Sequence, residues 1–231
     1  MYRTITIIQS FFSQTGRVIV NPFSGIYRSN AKEKDFNELS GELSVEIVRK
    51  SIHFLIALVP SMAAVNKTAT VFLLFIGTLA YTLMEYLRLS GVKVPFISSV
   101  TKMASRPRDT GHFVMGPVTL GFGALLALLL YPSSAAAIAI YALAFGDGIA
   151  SLVGKFLGKC RPAFLLGKSI EGSVACFAVV FASAYAVSGN LHIAFIAAIA
   201  ASIVEAMPLK DFDNIAIPVI VGLAVQAVSF V

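Results

Sequence analysis

Asp147 carries a carboxylate in the middle of an apolar run, Ala142-Leu-Ala-Phe-Gly-Asp-Gly-Ile-Ala-Ser151, with a glycine on either side. A charge near the centre of a membrane-spanning helix costs about 2.5 to 3.5 kcal/mol on insertion scales, so a carboxylate kept there needs a partner or performs a task. Helical spacing puts Asp147, Ser151 and Gly154 on or near one face, and the small neighbours let a ligand or another backbone approach closely. The adjoining loop, Gly154 to Ser169, mixes Gly154, Gly158 and Gly167 with Lys155, Lys159, Arg161 and Lys168 and ends where a helix is expected to open near Ile170. Flexible backbone, several cations and a helix N-terminus together make a phosphate-binding environment. Ser169 stands where it can cap that helix, and Glu171 sits in its first turn, where the helix dipole favours an anion. The loop is not a Walker A motif, because the position five before Gly167, which would have to be glycine, is Pro162.

A second set of carboxylates lies in Glu205-Ala-Met-Pro-Leu-Lys-Asp-Phe-Asp-Asn214, where Glu205, Asp211, Asp213 and the amide of Asn214 are packed together. Hard oxygen ligands of this kind suit Mg²⁺, which typically bridges one or two carboxylates and substrate phosphates. Upstream, Arg49, Lys50 and His53 open an apolar stretch, and Glu85 with Arg88 closes the next at a spacing that allows an ion pair on one helix surface. His112 opens a further stretch after the basic loop Arg106-Pro-Arg-Asp109. Each feature has a plain structural alternative. The glycines can pack helices while Asp147 bonds across a bundle, the basic loop can serve only to orient the chain, the acidic loop can be solvated, and His53 can be an interfacial residue.

The elements that must position these groups can be read from composition. Of the 231 residues 57% are hydrophobic and 13% charged, and the mean hydropathy of +0.83 is far above that of a water-soluble domain of this length. A helix needs about 20 mostly apolar residues to cross a bilayer, and seven stretches approach this: Ser51 to Val65, Thr68 to Leu87, Gly111 to Tyr131, Ser134 to Val153, Ile170 to Ser188, Leu191 to Met207 and Ile215 to Val231. If all seven cross, seventeen of the 18 lysines and arginines fall on one side and Lys67 alone on the other. By the positive-inside bias this places the N-terminus in the cytoplasm and assigns the formal charge of +6 to membrane orientation, so nucleic acid is not expected as a partner. After residue 50 the acidic residues, Glu85, Asp109, Asp147, Glu171, Glu205, Asp211 and Asp213, all fall on that same inner side.

The expected fold is therefore an all-α, polytopic transmembrane bundle of about seven spans. Residues 1–50 form a cytoplasmic or interfacial segment, with an amphipathic patch at Ile5 to Phe12, and residues 51–231 form a transmembrane catalytic domain. No cleaved signal peptide is expected. Cys160 and Cys176 lack metal-type spacing and are expected as free thiols. Asn66-Lys67-Thr68 fits the N-glycosylation pattern but lies too close to two spans to act as an acceptor.

Taken in order, Gly146-Asp147-Gly148-x-Ala150, then Gly154 and Gly158, then Lys168-Ser169-x-Glu171-Gly172-Ser173, then Glu205 and Asp213-Asn214 with Pro218, the residues resemble a known group. It is the CTP-dependent lipid kinases (dolichol kinase, phytol kinase and the yeast-type diacylglycerol kinase), themselves distantly similar to phosphatidate cytidylyltransferase. The likeness is loose from Arg49 to Pro218 and close from Gly146 to Gly172. It implies a cytidine nucleotide bound with Mg²⁺ at the cytoplasmic face of an integral membrane protein, and phosphoryl transfer from CTP to the hydroxyl of a membrane lipid alcohol such as a polyprenol, a phytol-like alcohol or diacylglycerol.

Carried over by residue, the resemblance implies catalytic roles for Asp147, Glu205 and Asp213, with metal held by Asp147, Glu171 and Asp213. Nucleotide contacts fall to Gly146, Lys155, Gly158, Lys159, Lys168, Ser169, Glu171 and Gly172, and Arg49, His53, Glu85, Arg88 and Asn214 are further candidates. The region of Asp211 to Asn214 lacks the longer arginine- and aspartate-rich signature of the cytidylyltransferases, which favours the kinase. Nucleotidyl transfer giving a CDP-lipid is the first alternative. An ion-coupled transporter is the second, although no second copy of Gly146-Asp147-Gly148 marks an inverted repeat.

Overall fold

The computed structural model describes residues 45–92, 111–165 and 167–229. The amphipathic patch before residue 45 and the loop Arg106-Pro-Arg-Asp109 lie outside these described residues. Among them every regular element is helical and there is no strand. Four helical runs are long and apolar enough to cross a membrane: Val45–Leu89, Ser133–Phe156, Ile170–Ser188 and Lys210–Ser229. Gly116–Leu130 and Leu191–Ala206 are apolar but shorter.

Val45–Leu89 would be roughly 67 Å long as one straight helix, about twice the hydrocarbon thickness of a bilayer. It does not stay straight. Asn66 has φ −154° and ψ 99°, and its side-chain oxygen accepts a hydrogen bond from the Ala69 amide at 3.0 Å, the geometry of an N-cap that starts a new helix. We name the two limbs α1 (45–65) and α2 (67–89). The break falls where the sequence separates its first two apolar stretches. The remaining helices are α3 (Gly116–Leu130), α4 (Ser133–Phe156), α5 (Ile170–Ser188), α6 (Leu191–Ala206) and α7 (Asp213–Ser229).

Side-chain contacts set the directions. A side chain on Gly121 of α3 would strike Thr78 of α2, and the Val114 amide reaches Glu85 near the end of α2, so α2 and α3 run antiparallel. Lys50 near the start of α1 meets Asp147 late in α4, which makes α1 and α4 antiparallel as well. α4 is the central element. Of its apolar window 61% is buried, against 11% for Val45–Leu89. Much of its wall is alanine (Ala135, Ala136, Ala139, Ala142 and Ala144), and Ala194, Ala197, Ala198 and Ala201 of α6 are buried too. Small side chains let the helix backbones approach closely where a bilayer supplies no hydrophobic drive between helices.

Pro218 shows the same economy of space on α7. It has no amide hydrogen to donate to the carbonyl four residues back, that of Asn214. Gly123 of α3 lies directly against that freed carbonyl, where any side chain would collide with it.

The boundary expected at residue 50 falls inside a helix, because α1 already includes Val45. Residues 45–50 therefore belong to the bundle, and their charges become internal to it.

Candidate functional site

The middle of α4 is not α-helical. Ala142–Asp147 forms a π-helical turn, and normal helix resumes at Gly148. Such insertions shift the register of the residues after them and recur at functional sites. Here the wide turn ends on Asp147, and from it Asp147, Ser151 and Lys155 succeed one another at four-residue intervals along one face. Gly148 lies under the ring of Phe54 on α1, so α1 and α4 sit close at this point.

α1 presents the complementary face, with Glu46, Lys50 and His53 at helical spacing. The Lys50 ammonium donates to Asp147 Oδ2 at 2.5 Å, and His53 Nδ1 lies 3.3 Å from the same oxygen. Glu46 takes the Arg49 guanidinium at 2.5 Å, accepts the Ser151 hydroxyl at 2.7 Å and faces Lys155 at 3.4 Å. Glu46, Lys50, His53 and Asp147 are all buried. This seam of alternating charge joins two helices that are otherwise apolar, and each charge has a counter-charge, as burial demands.

The second wall is the start of α5. Ser169 caps it, accepting the Gly172 amide at 3.1 Å. Ala150 and Gly154 of α4 pack against Gly172, where a side chain would meet the Ala150 carbonyl at 2.8 Å. Arg161 folds the intervening loop inward through the carbonyls of Gly154, at 2.5 Å, and Gly167, at 2.6 Å. Glu171 accepts the backbone amides of Lys159, at 2.9 Å, and Cys160, at 3.1 Å, which ties the other side of that loop to α5.

The third wall comes from the junction of α6 and α7. Lys168 reaches the backbone carbonyl of Glu205 and lies 3.2 Å from its carboxylate, which also accepts the Ser173 hydroxyl at 3.1 Å. Asp213 opens α7, with one oxygen on the Asn214 amide at 2.9 Å. Lys210, just before it, has φ 54°, a left-handed conformation that is strained for a lysine.

These walls enclose a cavity of about 210 Å³. Three carboxylates line it, from Asp147, Glu205 and Asp213, together with five cations, from Arg49, Lys155, Arg161, Lys168 and Lys210. Ser151, Ser169 and the backbone of Gly154, Gly167 and Gly172 complete it. An excess of positive charge around glycine backbone at the start of a helix favours a polyanion.

The expected residues divide clearly. Arg49, Asp147, Lys155, Lys168, Ser169, Gly172, Glu205 and Asp213 line the cavity, and His53 stands behind Asp147. The others serve the frame. Gly146 faces Cys176 and Val180 of α5, and Gly158 lies against Ser169. Lys159 is exposed, and it touches the site through its backbone amide. Asn214 bonds Thr119 at 2.9 Å and so holds α3 to α7. Glu85 and Arg88 pair through two bonds of 2.8 and 2.7 Å, with the Val114 amide on the same carboxylate, away from the cavity.

Of the expected metal set, Asp147 and Asp213 line the cavity and Glu171 does not. Glu171 is outside the cavity lining and engaged with loop amides, and among the described residues no three His, Cys, Asp or Glu are gathered to hold a metal ion by themselves. Asp147 and Asp213 do share the cavity, close enough for their charges to interact. Both cysteines are free thiols, as expected.

Sequence reasoning missed Glu46 and gave no role to Lys210. Glu46 was findable, since Glu46, Lys50 and His53 keep one helical face once α1 is extended back past residue 50. Comparison with protein-family models, with curated proteins and with solved structures finds no match.

Proposed function

We propose that this chain is a membrane-embedded phosphotransferase that moves the γ-phosphoryl group of CTP to the hydroxyl of a membrane lipid alcohol. The observation that carries the reading is a single cavity in which five cations and three carboxylates meet beside the N-terminus of α5, with Asp147 inside an apolar helix. Phosphoryl transfer asks a protein mainly for positioning and for neutralisation of developing charge, and this lining suits both needs. The order of residues from Gly146 to Gly172, which resembles the CTP-dependent lipid kinases, supports the nucleotide and the acceptor class.

In this reading the seven helical limbs cross the membrane, the N-terminus and the cavity are cytoplasmic, and the lysine and arginine distribution supports that orientation. Lys155, Arg161, Lys168 and Lys210 contact the nucleotide phosphates. Asp147 and Asp213 fit the Mg²⁺ that such a reaction uses, because that ion is commonly held by one or two carboxylates plus substrate phosphates. When bound, the ion would neutralise phosphate charge. Glu205 holds Lys168 toward the cavity, and a lipid hydroxyl entering between helices loses its proton to a cavity carboxylate. The new bond joins that oxygen to the γ-phosphorus while the β–γ bridge breaks and CDP leaves.

The test uses purified protein in mixed lipid containing polyprenol and diacylglycerol, with Mg²⁺ and CTP labelled separately at the α- and γ-phosphates. Label from the γ position alone in the lipid fraction supports the kinase. Label from the α position replaces it with a cytidylyltransferase giving a CDP-lipid, and no label from either position overturns both and favours a transporter.

A further inference from the structure

A second cavity, of about 340 Å³, lies at the opposite end of α1 and α4 from Asp147. Its interior is apolar and buried or half-buried, formed by Ala63 of α1, Leu128 of α3, Ala136 and Ala137 of α4 and Val187 of α5. Half-buried Tyr141 also lines it, and the other polar groups stand at the exposed edge: Ser61, Lys67, Ser133 and Ser134. Lys67 is the one charged residue among the lining residues. Neither it nor these three serine side chains has a hydrogen bond or ion pair within the described residues. The groove thus has a more apolar end and a wet end, and the wet end carries a positive charge that has no counter-charge among the described residues.

We propose that this groove is a binding site for an anionic phospholipid, with one acyl chain along the alanine wall and the headgroup phosphate on Lys67, Ser133 and Ser134. A free phosphate would leave the apolar interior unfilled, and an uncharged chain would leave Lys67 unmatched. The polarity gradient and the charge select an amphiphile that carries both parts. The proposal needs the chain to lie in a bilayer but does not depend on phosphoryl transfer. It extends the role of the single outward lysine from a topology mark to a lipid contact.

The chain contains no tryptophan, so one introduced tryptophan reports its own surroundings. Val65→Trp places it two residues from Lys67 at the groove mouth, and Leu223→Trp places it on α7, which does not line the groove; both positions are exposed. The full-length protein would be reconstituted in phosphatidylcholine vesicles in which either phosphatidylglycerol or phosphatidylcholine carries dibrominated chains that quench nearby indole emission. One lysine near an anionic lipid surface is worth about 1 kcal/mol, so phosphatidylglycerol should be preferred about fivefold at Val65→Trp and not at Leu223→Trp. Adding Lys67→Gln should remove that preference, and so should Ala137→Phe, which fills the groove while keeping the lysine. Unchanged quenching at Leu223→Trp in the same backgrounds certifies folding. Equal quenching by both lipids at Val65→Trp would overturn the proposal. So would a preference that survives Ala137→Phe, which would reduce it to surface charge attraction without a chain in the groove.

Discussion

Asp147 and Glu85 are both buried carboxylates at the same end of the bundle, each held by a cation, and they are put to different uses. Glu85 is saturated, with two bonds from the Arg88 guanidinium and one from the Val114 amide, and it fastens the end of α2 to the segment that enters α3. Asp147 accepts Lys50 on one oxygen, Oδ2, which His53 Nδ1 approaches to 3.3 Å without a hydrogen bond, and among the described residues no group donates a hydrogen bond to its other oxygen beside the cavity. An ion pair inside an apolar helix bundle is therefore not itself the mark of a site. What separates the two is an unfinished shell opening on space lined by further charge.

The sharpest way to break this contrast is Asp147→Asn. Loss of a preorganised charge at a reacting centre typically lowers kcat by about 10² to 10³-fold, and we expect at least that. The same change leaves Lys50 buried without its anion, which costs about 3 to 5 kcal/mol of stability. The two consequences can be separated with Lys50→Met in the same chain. The double variant should recover most of the unfolding midpoint in detergent while its labelled-CTP activity stays lost. Activity that returns with stability would make Asp147 a structural partner like Glu85.

The converse is Glu85→Gln. It should lower stability by roughly 1 to 3 kcal/mol, because the Arg88 guanidinium and the Val114 amide lose a charged acceptor. The kcat and KM for CTP, scaled to folded protein, should stay as they were. A change in the nucleotide KM would show that the α2 end communicates with the cavity and that the two carboxylates are less distinct than their contacts indicate.

This contrast also shows which features were legible in the sequence and which were not. The apolar stretches appear as helical limbs because their length and composition leave little choice, and Asn66 interrupts the first pair as its residue type suggests. Asp147, Lys168, Glu205 and Asp213 were legible as a group because charge in an apolar chain is sparse. Glu171 and Gly146 resisted such reading, since a carboxylate that binds amides and one that binds metal look identical as letters, as do a glycine that packs helices and one that cradles a ligand. The π-turn that ends on Asp147 has no recognisable signature in residue types. Glu46 was hidden behind the assumption that helix α1 begins where the apolar stretch begins.

Lys168→Ala acts at the cavity edge, and its effect should be smaller than that of Asp147→Asn. A hydrogen bond to a charged group contributes about 1.5 to 3 kcal/mol, so the KM for CTP should rise by roughly tenfold or more if the lysine meets the ground-state phosphates. A fall in kcat at constant KM would mean that the contact tightens only during transfer. An unchanged nucleotide dependence would leave Lys168 as a tie between the loop and the end of α6, which its contacts with Glu205 already make it.

The smallest expected effect belongs to Ser169→Ala. Its hydroxyl caps α5 through the Gly172 amide, and a lost cap costs about 1 kcal/mol, or a shift of roughly 2 to 4 °C in the midpoint of a chain this size. Ser169→Thr keeps the oxygen and should keep the midpoint if the crowding by Gly158 and Gly172 leaves room for one methyl group. Because the cap fixes where α5 presents its first amides, activity should fall in step with stability and return with it in the threonine variant. A loss of nucleotide affinity without any loss of stability would mean that Ser169 touches phosphate directly. The start of α5 would then belong with Asp147 as an open shell rather than with Glu85 as a closed one.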